Sequence, residues 1–339
     1  MIAAWCALAV TTLLSLSIGA TGITLAALPQ AVGHWVFNSG DAEAARHSLV
    51  LLEIRLPRTL LGLFVGSALA VAGAMMQGLF RNPLADPGLV GVSSGAALAA
   101  VATIALGNGL AAPWLAAFGN YALPLAAFAG GIVTTSILVI VAGRHGQLMI
   151  GTLLLAGIAI GALAGALSGL IAYASDDREL RDLTLWTLGS LAGASWQKVL
   201  GITPFAILIA IAIPRLVRGL NGFLLGEAEA FHLGINVEAT KRFVIVTTAA
   251  CVGAAVAVAG VIGFIGIVVP HFVRLIAGPD HRIVLPASAV IGGTLMVFAD
   301  ILARMLVHPA ELPIGIVMAA IGAPIFLHLV LKRGIGGAE

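Results

Sequence analysis

Three arginines stand where they can do electrostatic work. Arg55 and Arg58 bracket Leu56-Pro57, and Arg304 follows Asp300 by four residues near the end of a late apolar run. Two guanidiniums three residues apart and fixed by a proline make a stiff cationic corner. The i,i+4 spacing also lets Asp300 pair with Arg304 on a helix. The plainer reading of each charge is a marker of the membrane interface. A second constellation is Leu224-Leu225-Gly226-Glu227-Ala228-Glu229-Ala230-Phe231-His232-Leu233-Gly234, where two glycines bound a short helix. With Ala230 and Leu233 as its apolar face, such a helix suits docking into a partner; a surface helix with no partner is the alternative. A third, Arg81-Asn82-Pro83-Leu84-Ala85-Asp86-Pro87-Gly88, has prolines and Asx residues that force a rigid non-helical turn.

Catalytic signatures are missing. No GxxxxGK[ST] occurs, since the only lysines are Lys198, Lys241 and Lys332 and none follows a glycine. HExxH is absent as well, so no catalytic residue is assigned and the energy for any work comes from elsewhere. Met75, Met76, His145, Tyr173, His271, Met296 and Met305 have side chains that suit iron. They are scattered over loop and core positions, so packing is the plainer role for each and no metal site is expected. Cys6 and Cys251 sit in apolar runs outside any CxxC and read as small hydrophobic residues. No basic block points to nucleic acid.

The elements that position these residues follow from composition. Of 339 residues 60% are hydrophobic and 9% charged, with a mean hydropathy of +1.10, whereas a soluble domain carries about 25% charged residues. Soluble enzyme, disulfide scaffold and disordered chain are excluded. The runs approach the length of membrane helices, not barrel strands. Ten spans are predicted, near 3–28, 58–79, 88–106, 121–142, 148–173, 196–216, 240–260, 262–278, 282–304 and 313–331. The first has no Lys or Arg before it and exceeds a signal-peptide core, so it is expected to be retained.

With both termini cytoplasmic, 10 Lys and Arg fall inside and 7 outside. Residues 65–73 (VGSALAVAG) and 252–260 (VGAAVAVAG) agree at seven of nine positions, which suggests an inverted repeat; shared Ala, Val and Gly composition is the alternative. Gly157, Gly161, Gly165 and Gly169 line one face of the fifth span, for close packing or for sliding.

Together these patches resemble the permease subunits of bacterial ATP-driven importers for iron–siderophores, haem and cobalamin over nearly the whole chain. The resemblance is carried by Arg55-Leu56-Pro57-Arg58, Gln77 through Gly88, Gly226-Glu227 through Leu233-Gly234, and Gly263-Phe264-Ile265-Gly266 with Val269-Pro270-His271. Gly278 through Arg282, Ala299 through Arg304 and Glu311-Leu312-Pro313-Ile314-Gly315 complete it. It implies an all-α polytopic membrane protein of about ten transmembrane helices per subunit, an inverted-repeat permease functional as a homodimer. Residues 1–339 then form one permease domain, with 219–238 a cytoplasmic coupling-helix loop and 174–195 a periplasmic loop with a short helix.

The implied partners are a second copy, two cytoplasmic ATPase subunits that use ATP-Mg, a periplasmic substrate-binding protein and the bilayer. The chain itself is expected to bind no cofactor and to lie, multi-pass, in the bacterial inner membrane. By the same resemblance Gly226, Glu227, Ala230, Leu233 and Gly234 couple to the ATPase. Arg55, Arg58 and Arg304 dock acidic residues on the binding protein, and Asn82 and Leu84 lie near the inner gate. The stretch Asp176 through Leu191 looks most like the haem-importing members, which ranks haem first, a ferric siderophore second and cobalamin third. An ion-coupled secondary transporter is the rival of another class, but it needs intramembrane ionisable residues, and only Asp300 comes close to mid-span.

Overall fold

In lipid a backbone has no water to bond, so each apolar run must satisfy its own amides, and helices do this. The structure, a computed structural model, describes residues 1–19, 28–37, 42–107, 109–144, 147–307 and 310–336. In chain order the helices are α1 (Ile2–Ser17), α2 (Leu28–Phe37), α3 (Ala42–Val50), α4 (Leu56–Phe80), α5 (Val92–Ala105), α6 (Ala112–Phe118) and α7 (Ala122–Ala142). A two-residue hairpin, β1 (Gly143–Arg144) and β2 (Gln147–Leu148), turns the chain into α8 (Ile150–Ala174). Then come α9 (Asp177–Thr187), α10 (Trp196–Phe223), α11 (Glu227–His232), α12 (Val237–Ala259), α13 (Ile265–Ala277), α14 (His281–Met305) and α15 (Ile314–Gly336).

Among the described residues six stretches are long and apolar enough to cross a bilayer, and four shorter apolar helices, α1, α5, α13 and α15, accompany them. The ten predicted spans map onto these ten elements, with differences that have local causes. The first helix ends at Ser17 because Ile18 turns to extended backbone. The third is broken at Gly91, whose left-handed φ of 73° separates a 3₁₀ turn over Pro87–Val90 from α5. The sixth runs on through Pro214 to Phe223. The eighth, α13, has 13 residues; its length of about 20 Å falls short of a hydrocarbon core of about 30 Å.

The core lies along α4, α12 and α14. In the stretch containing α4 and in α12, 78% of the most apolar window is buried, against 17% for α8 and 28% for α10. Small residues let the central helices meet backbone to backbone. Gly66 of α4 abuts Gly292 of α14, and Gly73 abuts the Gly266 carbonyl of α13, leaving no room for a Cβ at either place. The echo pair occupies different positions: 65–73 is mid-helix in α4, whereas 252–260 finishes α12, where Gly260 is the C-cap with φ 75°. Of the glycine stripe on α8, Gly157 meets the Leu89 carbonyl and Gly161 faces Ser94 Oγ, while Gly165 and Gly169 have nothing within 4 Å.

Candidate functional site

The loops sort onto two faces. One holds Arg81 through Pro87, the β1–β2 hairpin and α11: the Arg81 guanidinium lies beside Gly226, and the Leu148 amide donates to Glu238 Oε2 at 2.9 Å. The opposite face holds the start of α4, the end of α14 and the segment before α15, joined to α9 by the Gly315 amide donating to the Leu188 carbonyl at 3.0 Å.

On that opposite face the three sequence-predicted arginines do converge, but inward. Five residues in π-helix, Leu51–Arg55, lead into α4 and set Arg55 against α1, where its guanidinium donates to the Leu16 carbonyl. Arg58 is gripped by two carboxylates. Its Nε lies 3.1 Å from both Asp300 oxygens, its Nη2 lies 2.9 Å from Asp300 Oδ1 and from Glu311 Oε2, and its Nη1 donates to Glu311 Oε1 at 3.0 Å. Arg304 Nε stands 3.2 Å from Asp300 Oδ2, and its Nη groups reach the Ile18 carbonyl and Ser15 Oγ.

Arg55 is 3% exposed and Arg58 8%, so the expectation of three outward-facing cations is revised. Charges this close to lipid are stabilised by partners inside the chain, because an unpaired one is costly to desolvate. The cluster ties α1, α4, α14 and the α15 approach together, and Glu311, 38% exposed at its side chain, is its charged outlet. Sequence spacing found the Asp300–Arg304 pair but not the Arg58 partners, which lie 242 and 253 residues away.

On the other face α10 ends in a turn at Leu224–Gly226. Gly226, at φ 125°, opens α11, and Gly234, at φ 76°, closes it. Both conformations favour glycine, so the two glycines bound the helix as predicted. The apolar face is corrected. Ala230 is fully buried beside Gly222, because it must fill the gap where α11 folds back on α10. Phe231, Leu233 and Leu225 are the exposed apolar side chains, at 68%, 55% and 64%.

Lys241 of α12 lashes this helix down: its Nζ lies 2.6 Å from Glu227 and 3.3 Å from Glu238, and donates to the Leu148 carbonyl. The Glu238-x-x-Lys241 spacing was a legible signal for half of that link. Between α11, the hairpin and the start of α12 opens a groove of about 1160 Å³. Nearby, Arg81 takes a left-handed φ of 50° to end α4, exposed Asn82 accepts from the Leu84 amide at 3.0 Å, and Leu84 is half-buried. Asp280 caps α14; the Arg282 amide and the Asn221 side chain, both donating to it, hold its carboxyl below the usual carboxylate range.

Among the candidate iron ligands, Met75, Met76, Met296 and His271 are buried in the bundle, Tyr173 and Met305 are exposed, and His145 lies outside the described residues. Among the described residues no group of three His, Cys, Asp or Glu side chains could hold a metal ion.

The chain is thus a helical bundle of apolar spans, with an ion cluster at one face and a short helix carrying exposed apolar side chains at the other. The chain belongs to the FecCD transport family, which it matches over residues 7–332. It is 46% identical over 298 residues to the hemin transport system permease protein HmuU of Yersinia pestis, covering 88% of this chain and 87% of that one. It is 44% identical over 321 residues to the vitamin B12 import system permease protein BtuC of Salmonella paratyphi A, covering 94% of each. The solved structure of a metal-chelate type ABC transporter in an inward-facing conformation superposes with a TM-score of 0.84 at 31% identity, over 98% of both chains. The protein is therefore the transmembrane permease of a bacterial ABC importer of the haem, cobalamin and siderophore class, and ATP is hydrolysed on a separate subunit.

Proposed function

We propose that this permease carries haem from periplasm to cytoplasm by alternating access. The observation that supports haem is the 46% identity to a hemin permease. Haem is flat and largely apolar with two propionates, so a path lined by Ala, Leu and Gly passes it without a ligand that would slow release. Cobalamin is the second reading, ahead of a ferric siderophore, since a cobalamin permease is 44% identical over a longer stretch. The test is reconstitution in vesicles with the cognate ATPase and binding protein, supplying haem, cobalamin and a ferric siderophore in competition. Uptake of intact haem that cobalamin does not suppress is the expected result; the reverse order transfers the assignment to cobalamin.

In this reading two copies form the pathway in the inner membrane, both termini are cytoplasmic, and two ATPase subunits use ATP-Mg, with no cofactor on this chain. The 219–238 loop then faces the ATPase. Gly226 and Gly234 fix the ends of α11, Glu227 anchors it through Lys241, Ala230 seats it, and Leu233 with Phe231 makes the contact. The 174–195 segment lies at the periplasmic mouth, where the face built by Arg55, Arg58 and Arg304 receives the binding protein. Because the arginines are engaged within the chain, they act there by shaping the face on which Glu311 is exposed. Asn82 and Leu84 sit beside the coupling loop, at the inner gate.

A further inference from the structure

α12 does not run straight into α13. It ends at Ala259 on the Arg58 face, where the Ala259 carbonyl accepts from the Ser190 amide at 2.8 Å and Gly260 packs against Gly189 and the Trp186 carbonyl. Residues 260–264 then leave the helix and sink between α4 and α15 before Ile265 opens α13. Two neighbours measure the depth. The Phe264 side chain fills the notch at Gly322, eight residues into α15 and so about 12 Å from the start of that helix. Gly266 lies against the Leu69 carbonyl, thirteen residues into α4 and so about 20 Å from its start. Both depths fall inside a hydrocarbon core of about 30 Å.

The backbone at this depth is largely unpaired. Among the described residues the amides of Val261, Ile262, Gly263 and Phe264 and the carbonyls of Gly260, Val261 and Ile262 find no hydrogen-bond partner. The Gly263 carbonyl accepts from the Ile265 amide at 2.9 Å, closing a three-residue turn on Phe264 at φ 67° and ψ −32°. Such a turn is rare and strained. It sends the Phe264 ring toward α15 and leaves Gly263 exposed, with nothing within 4 Å of the place a Cβ would take. Lipid does not tolerate bare irregular backbone, and a dry seam against another chain leaves the same groups unpaired at a cost for each. Water satisfies them. We propose that residues 261–264 form a wall of the water-filled path through the permease, with Gly263 as the clearance past which the substrate moves. Helices broken at membrane depth build such paths in transporters. The assignment rests on the permease reading and not on which substrate crosses.

The test places single cysteines in a Cys6→Ser, Cys251→Ala background of the full importer in nanodiscs. It reads modification by a negatively charged, water-soluble methanethiosulfonate, with and without ATP. In at least one of those states Gly263→Cys should react about 100-fold faster than Ile207→Cys, an exposed position eleven residues into α10. That ratio is the partition cost of one charge in hydrocarbon. Val261→Cys serves if Gly263→Cys does not fold. Gly263→Trp, which the open position accommodates, should abolish uptake with the thermal midpoint unchanged, while Gly263→Ala keeps most of it. Reaction no faster than at Ile207→Cys in both states would overturn the proposal, and so would undiminished uptake by Gly263→Trp. A disulfide between two copies of Gly263→Cys that the reagent cannot reach would overturn it too, moving the segment to a dimer seam. Access at Gly263→Cys in an importer that carries cobalamin and not haem upholds the path and corrects only the substrate.

Discussion

Arg58 and Phe231 stand on opposite faces of the bundle, and both come from segments whose sequences suggest a docking surface. The structure treats them in opposite ways. Around Arg58 every strong charge is answered inside the chain, by Asp300 at 2.9 Å and Glu311 at 2.9 Å. Around Phe231 the chain leaves 68% of a large aromatic side chain exposed and commits the buried ammonium of Lys241 to holding the helix beneath it. A buried charge is stabilised only by a partner with good geometry, so a cationic motif at a membrane edge closes on itself. An apolar side chain on a short, anchored helix has no such internal solution, and it remains available to another protein.

Breaking the Arg58 side should have the largest effect on stability. Arg58→Ala leaves Asp300 with Arg304 alone and Glu311 without its partner, and should cost about 3 kcal/mol, read as a lowered thermal midpoint and a loss of folded protein in detergent. Arg58→Met combined with Asp300→Leu should recover little of it, because the double change takes the carboxylate from the buried Arg304 and leaves Glu311 without Arg58. If Arg58→Ala instead keeps the wild-type midpoint and loses only stimulation by the binding protein, the arginine is a docking residue and the contrast collapses.

Gly234→Pro comes next. Proline fixes φ near −65°, where this position needs 76°, and it removes the amide that bonds the Phe231 carbonyl at 2.9 Å. Local strain of about 1–3 kcal/mol should distort the end of α11 and lower coupled uptake several-fold, while the spans and the midpoint change little. Unchanged ATP-driven uptake would remove α11 from the coupling path.

Glu227→Gln should weaken the tie to Lys241 by about 1 kcal/mol, since Glu238 and the Leu148 carbonyl remain. Faster amide exchange in α11 is the measurement, and unaltered exchange would mean that the pair does not restrain the helix. Phe231→Ala should shift stability by no more than about 0.5 kcal/mol. It should nevertheless weaken association with the ATPase in pull-down from mixed vesicles. Undiminished association would show that the exposed ring is not the contact.

Much of this protein was readable along the chain, because the controlling interactions span a turn or two. Hydropathy placed the ten apolar helices, since a backbone in lipid must bond within its own segment. The short helix expected in 174–195 appears as α9, opened by Asp176 and Glu179 in a reciprocal cap, and Gly226 and Gly234 announced both ends of α11. What the tertiary structure decided depends on groups far apart in sequence. Spacing cannot show that Arg58 meets carboxylates 242 and 253 residues later, that Ala230 turns inward where Phe231 turns out, or that the break between α12 and α13 sinks beside Leu69 of α4. A side chain's burial and charge partner are set by which helices pack beside it, whereas the helix that carries it is set by its near neighbours.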